Sequence, residues 1–213
     1  MAHYYPICLS LDGRQALVVG GGAVACRKVE SLLAAGARVT VVSPEIYPEL
    51  RRLDGVRLVE RPFEEADVSG AAVVFAATDD AAVNHRVAVA ARARGALVNV
   101  VDTPAECDFI VPSTLVRGDL TISVSTGSAA PALSRRLRLE LEALFPEAYA
   151  DYVALLADLR HEVLREVSDP ACRREILLQL ADRPAWNAFA RHGPSALRQL
   201  ARELIDKRLG GTS

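Results

Sequence analysis

The sequence predicts an α/β fold: a doubly wound parallel sheet, then a small α+β segment, then a helical C-terminal region. Three observations predict it. Residues 15–25 run from an apolar strand through a glycine turn into a helix. Strands and helices then alternate through the first half, the pattern of a parallel sheet covered on both faces. Beyond Pro112 the pattern changes to one alternating strand, one amphipathic helix and then helix alone. The expected divisions are 1–113, 114–149 and 150–213.

The first strand is Gln15-Ala16-Leu17-Val18-Val19, followed by Gly20-Gly21-Gly22 in a Gly-x-Gly-x-x-Ala pattern ending at Ala25. Gly20 allows the tight turn, Gly22 lets a pyrophosphate approach the backbone, and Ala25 lets helix and strand pack closely. Amides at the helix start, on Ala23 and Val24, attract phosphate with the helix dipole behind them. Ala25, Val29, Leu32 and Leu33 recur at helical spacing, with Arg27, Lys28 and Glu30 on the other side. Gly36 is the stop signal.

Residues 38–42 form a β-branched second strand, stopped by Ser43-Pro44. Residues 56–59 form a third, and the continuous apolar run 71–77 a fourth, placed mid-sheet. Thr78-Asp79-Asp80 caps a helix running to about Arg94, with Gly95 as its stop, and residues 96–101 make a fifth strand. Together they predict a nearly minimal Rossmann-type sheet.

In the second half, residues 119–125 alternate like a strand and end in Thr126-Gly127-Ser128. Residues 131–145 then predict a helix with Leu133, Leu137, Leu141 and Leu144 along one face. From Asp151 the chain is helical, broken at Ser168-Asp169-Pro170 and at Gly193-Pro194, with a frayed tail expected at 210–213. A short strand and one apolar helix stripe make a poor core alone. Pairing across a twofold axis would cover the stripe, so a homodimer is expected; packing within the chain is the alternative.

The 213 residues are 51% hydrophobic and 24% charged, enough apolar material for a substantial core. A net charge of -2 gives no reason to expect nucleic acid or an anionic membrane as partner. No apolar run approaches the ~18 residues of a membrane span, and the start lacks the basic and apolar segments of a secretory signal. A cytoplasmic protein is expected. Cys8, Cys26, Cys107 and Cys172 are scattered, predicting free thiols, and His3, His85, His161 and His192 show no metal-ligand spacing. No metal site is expected. Lys28 and Lys207 are the only lysines. The arginine bias fits a G+C-rich genome, and equally fits carboxylate-rich ligands held by bidentate guanidinium groups.

In dinucleotide folds an acidic residue ~20 positions past the glycines holds the ribose hydroxyls. Here that corner carries Ser43-Pro44-Glu45. Glu45 would reach the ribose and disfavour a 2′-phosphate, whereas Ser43 would tolerate one and Arg51 and Arg52 follow. NAD is favoured over NADP. Two further loops leave the carboxyl ends of strands, where such folds bind ligands. One begins at Thr78, first a helix cap and second a lining of the nicotinamide site. The other, Asn99-Val100-Val101-Asp102-Thr103-Pro104, puts Asp102 where a carboxylate can act on a substrate facing the cofactor, although Asp before Thr-Pro also commonly forms turns.

Taken in order, Tyr5-Pro6-Ile7, Val18 to Gly22, Arg27-Lys28, Ala35-Gly36-Ala37, Val41 to Glu45, Ala76 to Asp80, Val83-Asn84, Asn99 to Asp102, Phe109 to Ser113 and Ser125-Thr126-Gly127 resemble the precorrin-2 dehydrogenase family, also found as the N-terminal part of multifunctional sirohaem synthases. The resemblance covers roughly the first 145 residues. It implies oxidation of precorrin-2 to sirohydrochlorin with hydride passing to NAD, and makes Asp102 the key active-site group. Losing hydride leaves a cationic macrocycle that must also shed a proton, so a nearby anion can stabilise charge and act as base. In some members the resemblance extends to inserting iron or cobalt into sirohydrochlorin.

The implied substrate is a tetrapyrrole bearing eight carboxylates. Ser125, Thr126, Gly127 and the helix-opening arginines, Arg135 foremost with Arg136 and Arg138, are its candidate ligands. The alternative for the arginines is a solvated face balanced by Glu140 and Glu142. The family usually carries Gly-Gly-x-Ser-Pro where this chain has Gly127-Ser128-Ala129-Ala130-Pro131, a departure that bears on Ser128. No methyltransferase segment follows, which predicts a stand-alone enzyme. The rival from another class is a protein that senses NAD or a tetrapyrrole without catalysis.

Overall fold

The computed structural model describes residues 4–209; His3 and the tail expected at 210–213 lie outside them. The chain divides into two compact units. The first runs to Val111 and includes Gly127–Ala129; the second comprises Pro112–Thr126 and the chain from Ala130.

The first unit is a five-stranded sheet in the order β3-β2-β1-β4-β5 with every pairing parallel. Its strands are β1 (Gln15–Val19), β2 (Arg38–Val42), β3 (Val56–Val59), β4 (Ala71–Ala76) and β5 (Leu97–Val100). Helix α1 (Ala23–Ala34) follows β1, and α2 (Ala81–Ala93) follows β4. The two-residue period of a strand explains why these runs are apolar throughout. Ala16 and Val18 of β1 face one core with Ala25 and Val29 of α1, while Leu17 and Val19 face another with Val87 and Ala91 of α2. Each face needs its own apolar set because each is covered by a helix. Strand order reverses between β1 and β4, which opens a crevice at their carboxyl ends.

Three short 3-10 turns, Leu50–Arg52, Glu65–Val68 and Pro104–Glu106, punctuate the connections and are absent from the sequence reading. At three or four residues each, they are too short to show a helical period.

In the second unit a hairpin of β6 (Ser113–Arg117) and β7 (Leu120–Val124) precedes α3 (Pro131–Leu144). Only β7 was expected; β6 buries Leu115 and leaves Thr114 and Val116 exposed, so its apolar signal is weak. Four helices follow: α4 (Tyr149–Glu166), α5 (Pro170–Leu180), α6 (Arg183–His192) and α7 (Pro194–Leu209). The break between α5 and α6 escaped the sequence reading although Asp182 caps α6, accepting from the Ala185 amide at 2.9 Å. Asp169 caps α5 in the same way through the Cys172 amide.

These four helices close around their own core of Leu155, Leu159, Ile176, Leu180, Trp186 and Ile205. Tyr149 stacks on Trp186 at 3.8 Å, and the buried Tyr152 hydroxyl donates to the Leu180 carbonyl at 2.6 Å. That burial pushes the Tyr152 phenol up to about 12. By contrast α3 buries only Ser134, and Leu133, Leu137 and Leu144 remain exposed on it. Among the described residues no helix is long and apolar enough to cross a membrane.

Candidate active site

Four of the connections at the carboxyl edge of the parallel sheet, those after β1, β2, β4 and β5, carry candidate residues or their supports. After β1, Gly20 adopts φ +121, closed to ordinary side chains, and donates its amide to the Val42 carbonyl at 2.9 Å. A β-carbon on Gly20 would strike the Ala77 carbonyl. On Gly21 it would strike the Glu45 carbonyl and lie 2.9 Å from Ser43 Oγ. The Gly21 carbonyl in turn accepts from the Tyr47 amide at 2.8 Å. The first two glycines therefore serve backbone-on-backbone packing against the loops after β4 and β2.

Gly22 differs: no atom lies within 4 Å of where its β-carbon would stand. It precedes α1 in extended conformation and offers no side-chain cap, so the first-turn amides that include Ala23 and Val24 are left for another acceptor. Space beside an uncapped helix start is what a pyrophosphate requires, so these residues fit a dinucleotide. Ala25 is fully buried and lets α1 approach the sheet.

After β2, Ser43 is buried and donates its amide to the Val59 carbonyl at 3.1 Å, while Pro44 and Glu45 are exposed. Because the Glu45 carbonyl rests on Gly21, the Glu45 carboxylate is carried on a segment tied to the glycine turn. After β4, the Thr78 hydroxyl lies 2.8 Å from Asn84 Oδ1, and Asn84 Nδ2 returns a bond to the Thr78 carbonyl at 2.9 Å. Asp80 caps α2 through the Ala82 and Val83 amides. The cap expected here is present, and buried Asn84 organises the whole connection.

After β5, Asp102 stands at φ +57 in a turn closed by the Thr103 amide on the Val100 carbonyl at 3.3 Å. The Val101 amide reaches the Ala76 carbonyl at 2.9 Å, which sets this turn directly beside the end of β4. Left-handed backbone costs a non-glycine residue ~1 kcal/mol or more, and aspartate tolerates it better than most. Strain of this kind collects at functional sites. Asp102 is exposed, and no described residue pairs with its carboxylate.

The remaining candidates are placed separately. In the second unit, Thr126 Oγ1 accepts from the Ala130 amide at 3.1 Å and shares a hydrogen bond with Ser134, so it organises the start of α3. Ser125 is exposed, as is Arg135. Arg136 pairs with Glu140 at 2.8 Å and Arg138 with Glu142, leaving Arg135 as the member of that trio without an ion pair among the described residues. Gly127 and Ser128 adopt φ +60 and +70.

Sequence reasoning gave no role to Gly21, Asn84 or Cys107. A third consecutive glycine was the available signal for the first. Nothing local marked the other two, whose partners are created by folding.

A family model described as "Putative NAD(P)-binding" matches residues 7–113. Among curated relatives, the siroheme synthase of Thioalkalivibrio sulfidiphilus is 41% identical over 209 residues, covering 97% of this chain and 42% of that protein. The siroheme synthase of Pseudomonas aeruginosa is 45% identical over 195 residues, covering 85% and 42%. The chain thus spans about two-fifths of the length of these relatives. Among solved structures, SirC, a precorrin-2 dehydrogenase, superposes with a TM-score of 0.79 at 27% identity, covering 94% of this chain and all of that one.

Proposed function

The chain belongs to the NAD(P)-binding family whose model spans residues 7–113, and from that premise we propose that it oxidises precorrin-2 to sirohydrochlorin with NAD as hydride acceptor. The observation that carries this reading is the Asp102 carboxylate, unpaired among the described residues, on a left-handed turn on one side of the end of β4, with a glycine turn shaped for a dinucleotide on the other. The likeness to siroheme synthases and to SirC supports the substrate.

The amides that include Ala23 and Val24 hold the pyrophosphate, and Gly22 leaves room for it. Glu45 accepts from the ribose hydroxyls, and its charge favours NAD over a 2′-phosphorylated cofactor; Ser43, Pro44 and Thr78 complete the walls. When bound, NAD would supply the hydride acceptor. Asp102 stabilises the cation left on the macrocycle and receives the proton it sheds, so two hydrogens leave precorrin-2 as hydride and proton. Ser125, Thr126, Gly127 and Arg135 are assigned to the substrate carboxylates. The exposed leucines of α3, on the expected dimerisation segment 114–149, support a homodimer, and the same reading places it in the cytoplasm.

Anaerobic incubation with precorrin-2 and NAD tests the proposal. NADH and sirohydrochlorin absorbance should rise together; NAD binding with neither product would instead identify a sensor. Sirohydrochlorin spectra with ferrous or cobaltous ion, with and without protein, test metal insertion.

A further inference from the structure

Resting on the dehydrogenase reading above, we propose that Cys107 is a positioning residue: its thiol holds the Val100–Thr103 turn in the conformation that presents Asp102. β5 is an edge strand, so the outward amides and carbonyls of Val98 and Val100 have no neighbouring strand. Residues returning from the loop take that place. Asp108 serves Val98, accepting its amide through Oδ2 at 3.0 Å and donating its own amide to the Val98 carbonyl at 2.8 Å.

Cys107 serves Val100 in the same manner, but with its side chain. Sγ accepts the Val100 amide at 3.2 Å and lies 3.2 Å from the Val100 carbonyl and 3.4 Å from the Thr103 carbonyl. One sulfur therefore touches the first and last residues of the turn whose third residue is Asp102. Its single proton serves one carbonyl at a time, and either choice ties the sulfur to an end of the turn. Asn99 adds a donor 3.6 Å from the sulfur and anchors the chain beyond it through the Phe109 carbonyl at 2.9 Å.

Burial raises the Cys107 pKa above that of an ordinary thiol, so the proton needed for donation persists through neutral pH. Among the described residues no three His, Cys, Asp or Glu side chains gather as a metal site would require. Holding the turn is the role its neighbours leave to the thiol.

The test compares Cys107→Ala and Cys107→Ser in the full chain, following NADH formation, NAD affinity and melting temperature. Alanine should lower kcat by roughly 10- to 100-fold, the scale of a small misplacement of a reacting group, with KM for precorrin-2 and NAD affinity within about 2-fold of wild type. Serine can accept and donate as the thiol does and should recover most of that loss. Unchanged kcat in the alanine variant, or a serine variant as impaired as alanine, overturns the proposal. Hydrogen exchange at the Val100 and Thr103 amides reads the turn independently of turnover. Exchange should quicken by about tenfold in the alanine variant. Unchanged exchange overturns the proposal even if wild type makes no NADH, a result that by itself removes only the dehydrogenase reading.

Discussion

The glycine turn after β1 and the aspartate turn after β5 lie at the same edge of one sheet, yet they are held by opposite means. The first is shaped by missing side chains: Gly20 and Gly21 let backbone rest on backbone, and Gly22 leaves open space. The second is shaped by side chains that substitute for a strand, Cys107 and Asp108 filling the outer edge of β5. At Gly20 and Gly21 the packing tolerates no added atom, whereas a hydrogen-bonded turn tolerates exchange of one donor for another.

Asp102→Ala should strike hardest. On the role proposed for it, removing a base that also stabilises charge costs roughly 10²- to 10⁴-fold in kcat, while NAD affinity, assigned to the other turn, should stay near wild type. Steady-state rates beside a titration of NAD check both halves, and unchanged turnover would remove the assigned role.

Neighbouring glycines should then part company. Gly21→Ala places a methyl group in the Glu45 carbonyl and should destabilise by about 3 kcal/mol or more, visible as a lowered denaturation midpoint. The β-carbon that Gly22→Val adds meets nothing within 4 Å, so the fold should be little affected while the NAD dissociation constant rises by about 10-fold or more. Equal effects in calorimetry and binding would erase the distinction between packing glycine and ligand glycine.

Asn84→Ala probes whether polar fastening extends to the β4 connection. Losing a buried amide that serves both the hydroxyl and the carbonyl of Thr78 should cost about 1–3 kcal/mol in denaturant unfolding. The smallest change is expected at Ser128, a second non-glycine residue at positive φ. Ser128→Gly relieves ~1–2 kcal/mol of left-handed strain against glycine's ~0.5–1 kcal/mol of extra unfolded entropy, a net gain of about 0.5 kcal/mol. A melting curve resolves its sign.

Much of the fold was legible. The expected strands at 38–42 and 56–59 coincide with β2 and β3, and the helix after the glycines ends before Gly36 as read. Such elements carry their signal locally, in period, β-branching and stop residues. β6 was missed because one buried leucine in five residues gives no period, and the α5–α6 break was passed over although Asp182 and Pro184 carry the same kind of cap-and-proline signal as Asp169 and Pro170. Of the candidate site, the glycine turn, Asp80 as a cap and the position of Asp102 could be read, since each depends on residues near in sequence.

By itself, then, the order of residues determined the parallel sheet, its two apolar faces and the loops that reach its carboxyl edge, because backbone conformation and apolar period are short-range properties. Only the tertiary structure decided that Gly21 lies under Glu45, that Asn84 fastens Thr78, and that the Cys107 sulfur lies against Val100 and Thr103. Gly21 and Glu45 stand 24 residues apart along the chain, Thr78 and Asn84 6, and Val100 and Cys107 7, and folding of the sheet edge creates the geometry that makes them partners.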